Sequence, residues 1–313
     1  MTTIGELGED ALLALFTPRL PESDATLLGP GDDAAVLSVD GDLVVSSDVL
    51  IEGRHFRRDW STAADVGWRA AMQNLVDIDA MGAVPTALQV TLAAPADTEV
   101  DWVLGFADGL REACEPHGVG VVGGDLSGAS EIAISVTVLG ETHGLEVVTR
   151  GEAGPGDVVA VSGPLGASAA GLAQLMAGSS VNQATIDLFK RPAPRIGAGI
   201  EAALKGATAL MDISDGLVRD AARIARASDF GLSLDSTAVP QHDGVAIVAE
   251  ALGLDAVVLA LTGGEDHHLL GCFPRESAVP HGWTIVGEVT NTHEGVRVDG
   301  VIPVNFGWDH FGA

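Results

Sequence analysis

Basic residues are scarce in this chain of 313 residues: 16 Lys and Arg stand against 44 Asp and Glu, for a formal net charge of −28. Such a chain gains nothing from counterion release on a nucleic-acid backbone and is repelled by anionic lipid headgroups, so no nucleic acid and no membrane is expected as a partner. Lysine is scarcest, with only Lys190 and Lys205. The first half therefore holds neither a Gly-Lys-Ser/Thr phosphate loop nor the strand lysine of protein kinases, and any nucleotide must be held by other means. Aromatics are 4% of the chain and tyrosine is absent, which leaves an aliphatic core. Apolar runs such as Ala256–Leu261 are strand-length, far short of the ~20 residues that span a bilayer. Met1–Asp10 carries Glu6, Glu9 and Asp10 where a signal peptide would be basic. Two cysteines, Cys114 and Cys272, make no disulfide framework and no CxxC motif, and the expected location is the cytoplasm.

What is present is an alternation of strand-like and helix-like segments, the pattern of a mixed α/β protein. Asp40-Gly41 reads as a hairpin turn between strands Ala34–Val39 and Leu43–Val49. Thr62–Met81 reads as a helix stopped at Gly82, with Val66, Ala70 and Leu75 inward. A strand over Thr86–Leu92 follows, then a helix begun by Thr98 that carries Val103, Ala107, Leu110 and Cys114, then strands Val119–Val122 and Ile132–Gly140. The turn-rich stretch Arg150–Asp157 precedes a fresh strand at Val158–Val161, and two domains are expected, 1–146 and 147–313. Helices near 165–177, 195–205 and 216–228 and strands near 258–262, 268–273 and 283–289 complete the second.

Carboxylates recur where these elements end beside Gly or Ser. In the expected hairpin, residues whose numbers sum to 81 face each other, which sets Asp33 opposite Asp48. At ~5 Å and an effective dielectric of ~20 the two charges repel by about 3 kcal/mol, enough to call for a cation or a shared proton. Ser46 and Ser47 add oxygen donors, and the combination suits Mg²⁺. Asn74 and Asp77 are spaced i, i+3 on one helix face. Gly123-Gly124-Asp125 places a carboxylate after a strand, with glycines that allow close backbone approach to a ligand. Asp212-Ile213-Ser214-Asp215-Gly216 and Gly263-Gly264-Glu265-Asp266 repeat the theme. Each alone reads as a cap or turn; five in one lysine-poor chain point to a multi-metal phosphate site. Ser162–Ser168 reads equally as a phosphate-cradling loop or a plain Gly-rich turn and is left out of the site, and His267-His268 read as structural.

In this order the motifs resemble the thiamine-monophosphate kinase family, within the superfamily that includes aminoimidazole ribonucleotide synthetase. The matching stretches are Gly29–Ala34, Ser46–Phe56, Asn74–Ala83, Gly123–Asp125, Thr149-Arg150 with Pro155–Asp157, Arg191–Arg195, Asp212–Leu217, Gly263–Asp266 and the closing Gly307–Phe311. The resemblance implies ATP-dependent phosphorylation of thiamine monophosphate to thiamine diphosphate, a two-domain α/β fold whose N-terminal domain forms a dimer-interface β-barrel, and a homodimer with its active site in the cleft between domains. It implies several Mg²⁺ ions on Asp33, Ser46, Ser47, Asp48, Asp77, Asp125, Asp212 and Asp215. ATP falls to Gly124, Asp125, Arg150 and Ser214, and the thiamine substrate to His55, Glu265 and Trp308. Ser47 replaces a frequent Thr but keeps the hydroxyl, and Leu126 stands where Thr often follows the Asp. The acceptor is an already ionised phosphate, so no general base is assigned. Two other readings stand beside this one, another ATP-using synthetase of the superfamily and a non-catalytic acidic metal-binding or salt-adapted protein. The relatives that work through a reactive cysteine fit poorly, because Cys114 and Cys272 lie inside apparent core elements.

Overall fold

A computed structural model describes residues 1–274 and 279–308. Contacts divide the chain into two units, Met1–Ile78 with Ala83–Leu145, and Asp79–Gly82 with Glu146–Ala313. The first unit contains α1 (Ile4–Leu7), α2 (Glu9–Phe16), β1 (Thr26–Leu28), β2 (Val36–Leu37), β3 (Leu43–Ile51), α3 (Ala63–Asp79), β4 (Val84–Ala94), α4 (Val100–Cys114), β5 (Gly120–Gly128) and β6 (Ala133–Glu141). Four strands form a sheet in the order β3-β6-β4-β5, with only the β4–β5 pair parallel. On α3, Val66, Ala70 and Leu75 are buried, as the helical spacing requires. The two long helices touch closely: a β-carbon on Gly109 would lie 2.1 Å from the carbonyl oxygen of Ala64.

The hairpin expected at Asp40-Gly41 does not form. β3 pairs along its whole length with β6, so Asp48 stands opposite Val136, while Val36 and Leu37 pair with Leu28 and Thr26 of β1. Gly41 does turn the chain, with φ +85°, but the turn is tied to the end of β6. Asp40 N donates to Glu141 Oε2 (2.7 Å), Asp42 N to Thr142 Oγ1 (3.0 Å) and His143 N to the Asp40 carbonyl (3.0 Å). A nine-residue ladder to a distant strand outweighs the short local arm. Asp32 and Asp33 sit instead in the exposed connection between β1 and β2, where Asp33 N donates to Asp32 Oδ1 (2.8 Å).

Three further expectations change. Among the described residues the first unit's sheet is open, with β3 and β5 as its edges, and it closes no barrel. β5 runs through Gly123-Gly124-Asp125, so Asp125 lies within a strand. The helix after β4 begins at Val100 behind Glu99, not at Thr98.

The second unit contains β7 (Val158–Val161), α5 (Ala167–Ala177), α6 (Gln183–Lys190), α7 (Ala198–Leu204), β8 (Ala209–Asp212), α8 (Leu217–Ser228), β9 (Gly231–Leu234), α9 (Asp243–Leu252), α10 (Ala256–Thr262), β10 (Leu269–Phe273), β11 (Thr284–Thr290) and β12 (Val296–Val298). Its six-stranded mixed sheet has the order β12-β9-β11-β7-β10-β8. Val159, Val161, Met211, Leu270 and Cys272 on the strands meet Leu217, Ala221 and Ile224 of α8 in one core. The apolar run Ala256–Leu261 is helical, not a strand. Asp255 caps it by accepting from the amides of Val257 and Val258, and this start signal overrides the β-branched preference.

Candidate active site

In the first unit the residues expected to hold metal divide between the two faces of the sheet. Successive side chains of β3 alternate. Ser46 and Asp48 point toward α3, where Ser46 Oγ donates to Asp77 Oδ2 (2.7 Å) and Gln73 Nε2 donates to Asp48 Oδ2 (3.3 Å). Gln73 and Asp77 are one helical turn apart, so helix period and strand pleat together assemble Ser46, Asp48 and Asp77. The neighbouring Asn74 is buried, and its Oδ1 has no hydrogen-bond partner among the described residues.

Ser47 lies on the opposite face, with its hydroxyl donating to the Val136 carbonyl (3.0 Å). Asp125 is in register with Thr91, which pairs with Ser135 and through it aligns with Val49, so Asp125 shares the Ser47 face. It stands on the far edge strand, three strand spacings or ~14 Å across. One chain's sheet therefore does not bring Asp125 to Ser46, Asp48 and Asp77. Gly124 has φ +154°, and a β-carbon there would lie 1.7 Å from the Val90 carbonyl oxygen. That glycine is required by the approach of β5 to β4. His55 follows β3 in a tight loop, where its Nδ1 accepts from Ile51 N (3.0 Å), an arrangement that leaves the proton of a neutral ring on Nε2.

The second unit gathers its residues more tightly. Beyond β8 and before β10 two segments run side by side: Ile213 N donates to the His268 carbonyl (2.8 Å), His267 N to that of Ile213 (3.0 Å) and Glu265 N to that of Ser214 (2.8 Å). This pairing places Asp212, Ser214, Asp215 and Glu265 on neighbouring backbone. A third strand of chain closes on it, with Trp308 N donating to the Asp215 carbonyl (3.0 Å). A β-carbon on Gly307 would lie 2.2 Å from that carbonyl oxygen. Trp308 is exposed; Asp309, His310 and Phe311 lie outside the described residues.

Four functional-looking residues here escaped the sequence reading or were set aside as structural. Asp220 is wholly buried and accepts from Asp215 N (3.0 Å). Burial, with the charge of Asp212 behind it, raises its pKa to about 7 against the pull of Arg223. Arg223 bridges the carboxylates of Asp220 and Asp215, and Arg219 Nε lies 3.8 Å from Asp215. Asp220 falls on the inward stripe of α8 with Leu217, Ala221 and Ile224, and an acid in an apolar stripe is the signal that marks it. His267 lies between Asp212 and Glu265. Arg150 is exposed, and its carbonyl accepts from Ser228 Oγ (2.9 Å).

The loop Ser162–Ser168 is already filled. Asp266, fully buried, accepts from Gly166 N (2.6 Å) and Ser168 N (2.9 Å) at the start of α5. An internal carboxylate occupies the place of an external phosphate, so the plain structural turn is the correct reading.

All the expected metal ligands carry hard oxygens, the donor set of Mg²⁺. Among the described residues no group of three or more carboxylate, histidine or cysteine side chains forms a ready cage. Such a set fits Mg²⁺ ions that arrive with nucleotide phosphate and water, each held by one or two protein carboxylates.

Comparison with known proteins gives the same picture from outside. The chain matches the family models described as AIR synthase related protein, N-terminal domain, over residues 31–142, and the C-terminal domain over 154–299. It is 42% identical to the thiamine-monophosphate kinase of Mycobacterium tuberculosis, over 99% of this chain and 93% of that protein. It is 38% identical to the thiamine-monophosphate kinase of Aquifex aeolicus over 98% and 99%. A solved structure described as AaThiL complexed with AMPPCP and TMP superposes with a TM-score of 0.82 at 37% identity, covering 99% of both chains. The hydrogenase maturation protein HypE, in complex with ATP, shares the fold at 23% identity and a TM-score of 0.71. With its motifs, both domain models and near full-length identity in agreement, the chain belongs to the thiamine-monophosphate kinase family.

Proposed function

We propose that this chain transfers the γ-phosphoryl group of ATP to thiamine monophosphate, forming thiamine diphosphate and ADP. The observation that carries the reading is the full-length likeness to a relative solved with AMPPCP and TMP, an ATP analogue and the acceptor. The acidic sets of both units serve one transfer, with 1–146 binding ATP and Mg²⁺ and 147–313 completing the site. Donor and acceptor are both phosphates, so catalysis here is a matter of holding and aligning anions. Mg²⁺ bound with the nucleotide would supply the charge neutralisation that lets them approach.

The chain's own residues do the positioning. Asp33, Ser46, Ser47, Asp48, Asp77, Asp125, Asp212 and Asp215 would hold the metal ions. Gly124 and Ser214 approach ATP, and the forked guanidinium of Arg150 bonds its phosphates. His55 offers Nε2–H to the substrate, with Glu265 facing the cationic thiazolium and Trp308 flanking it. No side chain removes a proton, because the acceptor oxygen carries none at neutral pH.

A homodimer is supported by the outer face of β3, an edge strand on which Leu43, Val45 and Val49 are each about half exposed. A second copy on that face would cover this apolar stripe and bring further donors to Ser47 and Asp125. A barrel built from two sheets would satisfy the open edges. No described helix is long and apolar enough to cross a membrane. Both cysteines are buried and free, as thiols are in a reducing compartment such as the cytoplasm.

The test is ADP release with ATP, MgCl₂ and, in parallel, thiamine monophosphate, thiamine or an aminoimidazole-ribonucleotide precursor. Turnover with thiamine monophosphate alone, giving thiamine diphosphate, is expected. Turnover only with the purine precursor, or with no acceptor at all, would refute the reading.

A further inference from the structure

The buried imidazole of His267 has no role in the site described so far. Its side chain is 5% exposed and stands between two carboxylates with different expected tasks. Nδ1 lies 3.3 Å from Asp212 Oδ2, within hydrogen-bond distance, and Nε2 lies 3.7 Å from Glu265 Oε2. Among the described residues Nε2 makes no hydrogen bond, so a buried polar atom is aimed at Glu265 without closing on it. Backbone geometry enforces the position. Glu265 and His267 both have left-handed conformations, φ +69° and +56°, which non-glycine residues adopt rarely and which cluster at functional sites. Hydrogen bonds from Glu265 N and His267 N to the carbonyls of Ser214 and Ile213 lock the two positions to the Asp212–Asp215 segment.

We infer that His267 is a positioning residue that orients the metal carboxylate Asp212 through Nδ1 and the substrate carboxylate Glu265 through Nε2. The inference rests on the proposed function for the roles of those two carboxylates. A single ring can orient both, because its two nitrogens leave in different directions and each faces one of them.

The two nitrogens can be tested separately. Asn places an amide nitrogen near the position of Nδ1 and tolerates the left-handed backbone; Gln reaches toward the position of Nε2. His267→Asn should keep the Mg²⁺ requirement within about twofold and raise KM for thiamine monophosphate about tenfold. His267→Gln should do the reverse, raising the Mg²⁺ requirement about tenfold with KM little changed. In the wild-type protein, ¹⁵N NMR of the His267 ring should show Nδ1 responding to Mg²⁺ with nucleotide analogue, and Nε2 responding to thiamine monophosphate. The NMR result decides the matter even if a variant does not fold. A purely structural histidine would move melting temperature or kcat in both variants without separating the two constants, and its ring shifts would ignore both ligands; that outcome overturns the inference. If wild type turns over thiamine monophosphate and Glu265→Gln raises its KM while His267 variants change neither constant, the positioning role fails and the function stands. Absence of wild-type turnover with this acceptor removes both.

Discussion

Asp266 offers the sharpest test of how the second unit is built. Its carboxylate takes two amide hydrogen bonds at the start of α5, from Gly166 N at 2.6 Å and Ser168 N at 2.9 Å. Asp266→Ala leaves two buried N–H groups without partners, at about 1–3 kcal/mol each, or about 2–6 kcal/mol in total. That is a large part of the 5–15 kcal/mol that a folded domain commands, and at ~2–4 °C per kcal/mol it should lower the melting temperature by about 4 °C or more. Formate can refill the vacated position and should restore part of the loss in the variant. The pH dependence has a definite sign. Burial raises the pKa of Asp266 from 3.8 to about 6, against the two amide bonds that lower it. The folded chain therefore keeps a proton that the unfolded chain releases between about pH 4 and pH 6, and this group's contribution to stability falls as pH rises through that window. Asp266→Asn does not titrate. The wild-type advantage over it should shrink from pH 4 to pH 7 in calorimetric or fluorescence melts. A loss below ~1 kcal/mol for the Ala variant would refute the assignment of this carboxylate as the loop's internal acceptor, and an advantage that widens with pH would refute burial as the dominant influence on its pKa.

Other substitutions probe the first unit. Asp77→Asn retains an acceptor for the Ser46 hydroxyl and should melt within about 2 °C of wild type while losing at least ~100-fold in turnover; full activity in the ADP assay would remove Asp77 from the metal set. Gly124→Ala puts a methyl 1.7 Å from a backbone oxygen of β4 and should cost about 2 kcal/mol or more in urea unfolding, whatever its effect on ATP; an unchanged midpoint would contradict the strand geometry. Val45→Lys or Val49→Lys adds charge to the exposed face of β3 and should convert a dimer to a monomer in sedimentation equilibrium, with little change in the melting of the monomer unit. A dimer that survives both substitutions places the interface elsewhere.

Much of the fold was legible because it depends on local signals. The helix of Val66, Ala70 and Leu75 and the strands over 158–161, 268–273 and 283–289 follow from period and turn residues alone. The failures share a cause. Asp40-Gly41 carries a genuine turn signal, and Gly41 does adopt positive φ, yet nothing local states that the following strand will pair with β6, about ninety residues away. In the same way Ala256–Leu261 has strand-like composition, and the Asp255 cap with its burial among neighbouring helices decides otherwise.

The acidic motifs were legible as a set, but their arrangement was not, and the reason lies in how each acid is placed. Ser46 and Asp48 differ from Ser47 only by the strand's twofold period, which was known from sequence; which face meets α3 was set by the β3–β6 register, which was not. In the second unit the acids that organise the site are those burial removes from water. Asp220 orients the backbone of Asp215, Asp266 fills the α5 loop, and neither stands out in a chain with 44 acids until its environment is seen. Burial also separates their behaviour: Asp220 and Asp266 are pushed up to about 7 and about 6, so both exchange protons near neutrality, where solvated carboxylates stay charged. The net charge of −28 is spread over the whole sequence, while a few buried carboxylates, held by backbone amides, Arg223 and His267, shape the backbone around Asp212 and Asp215.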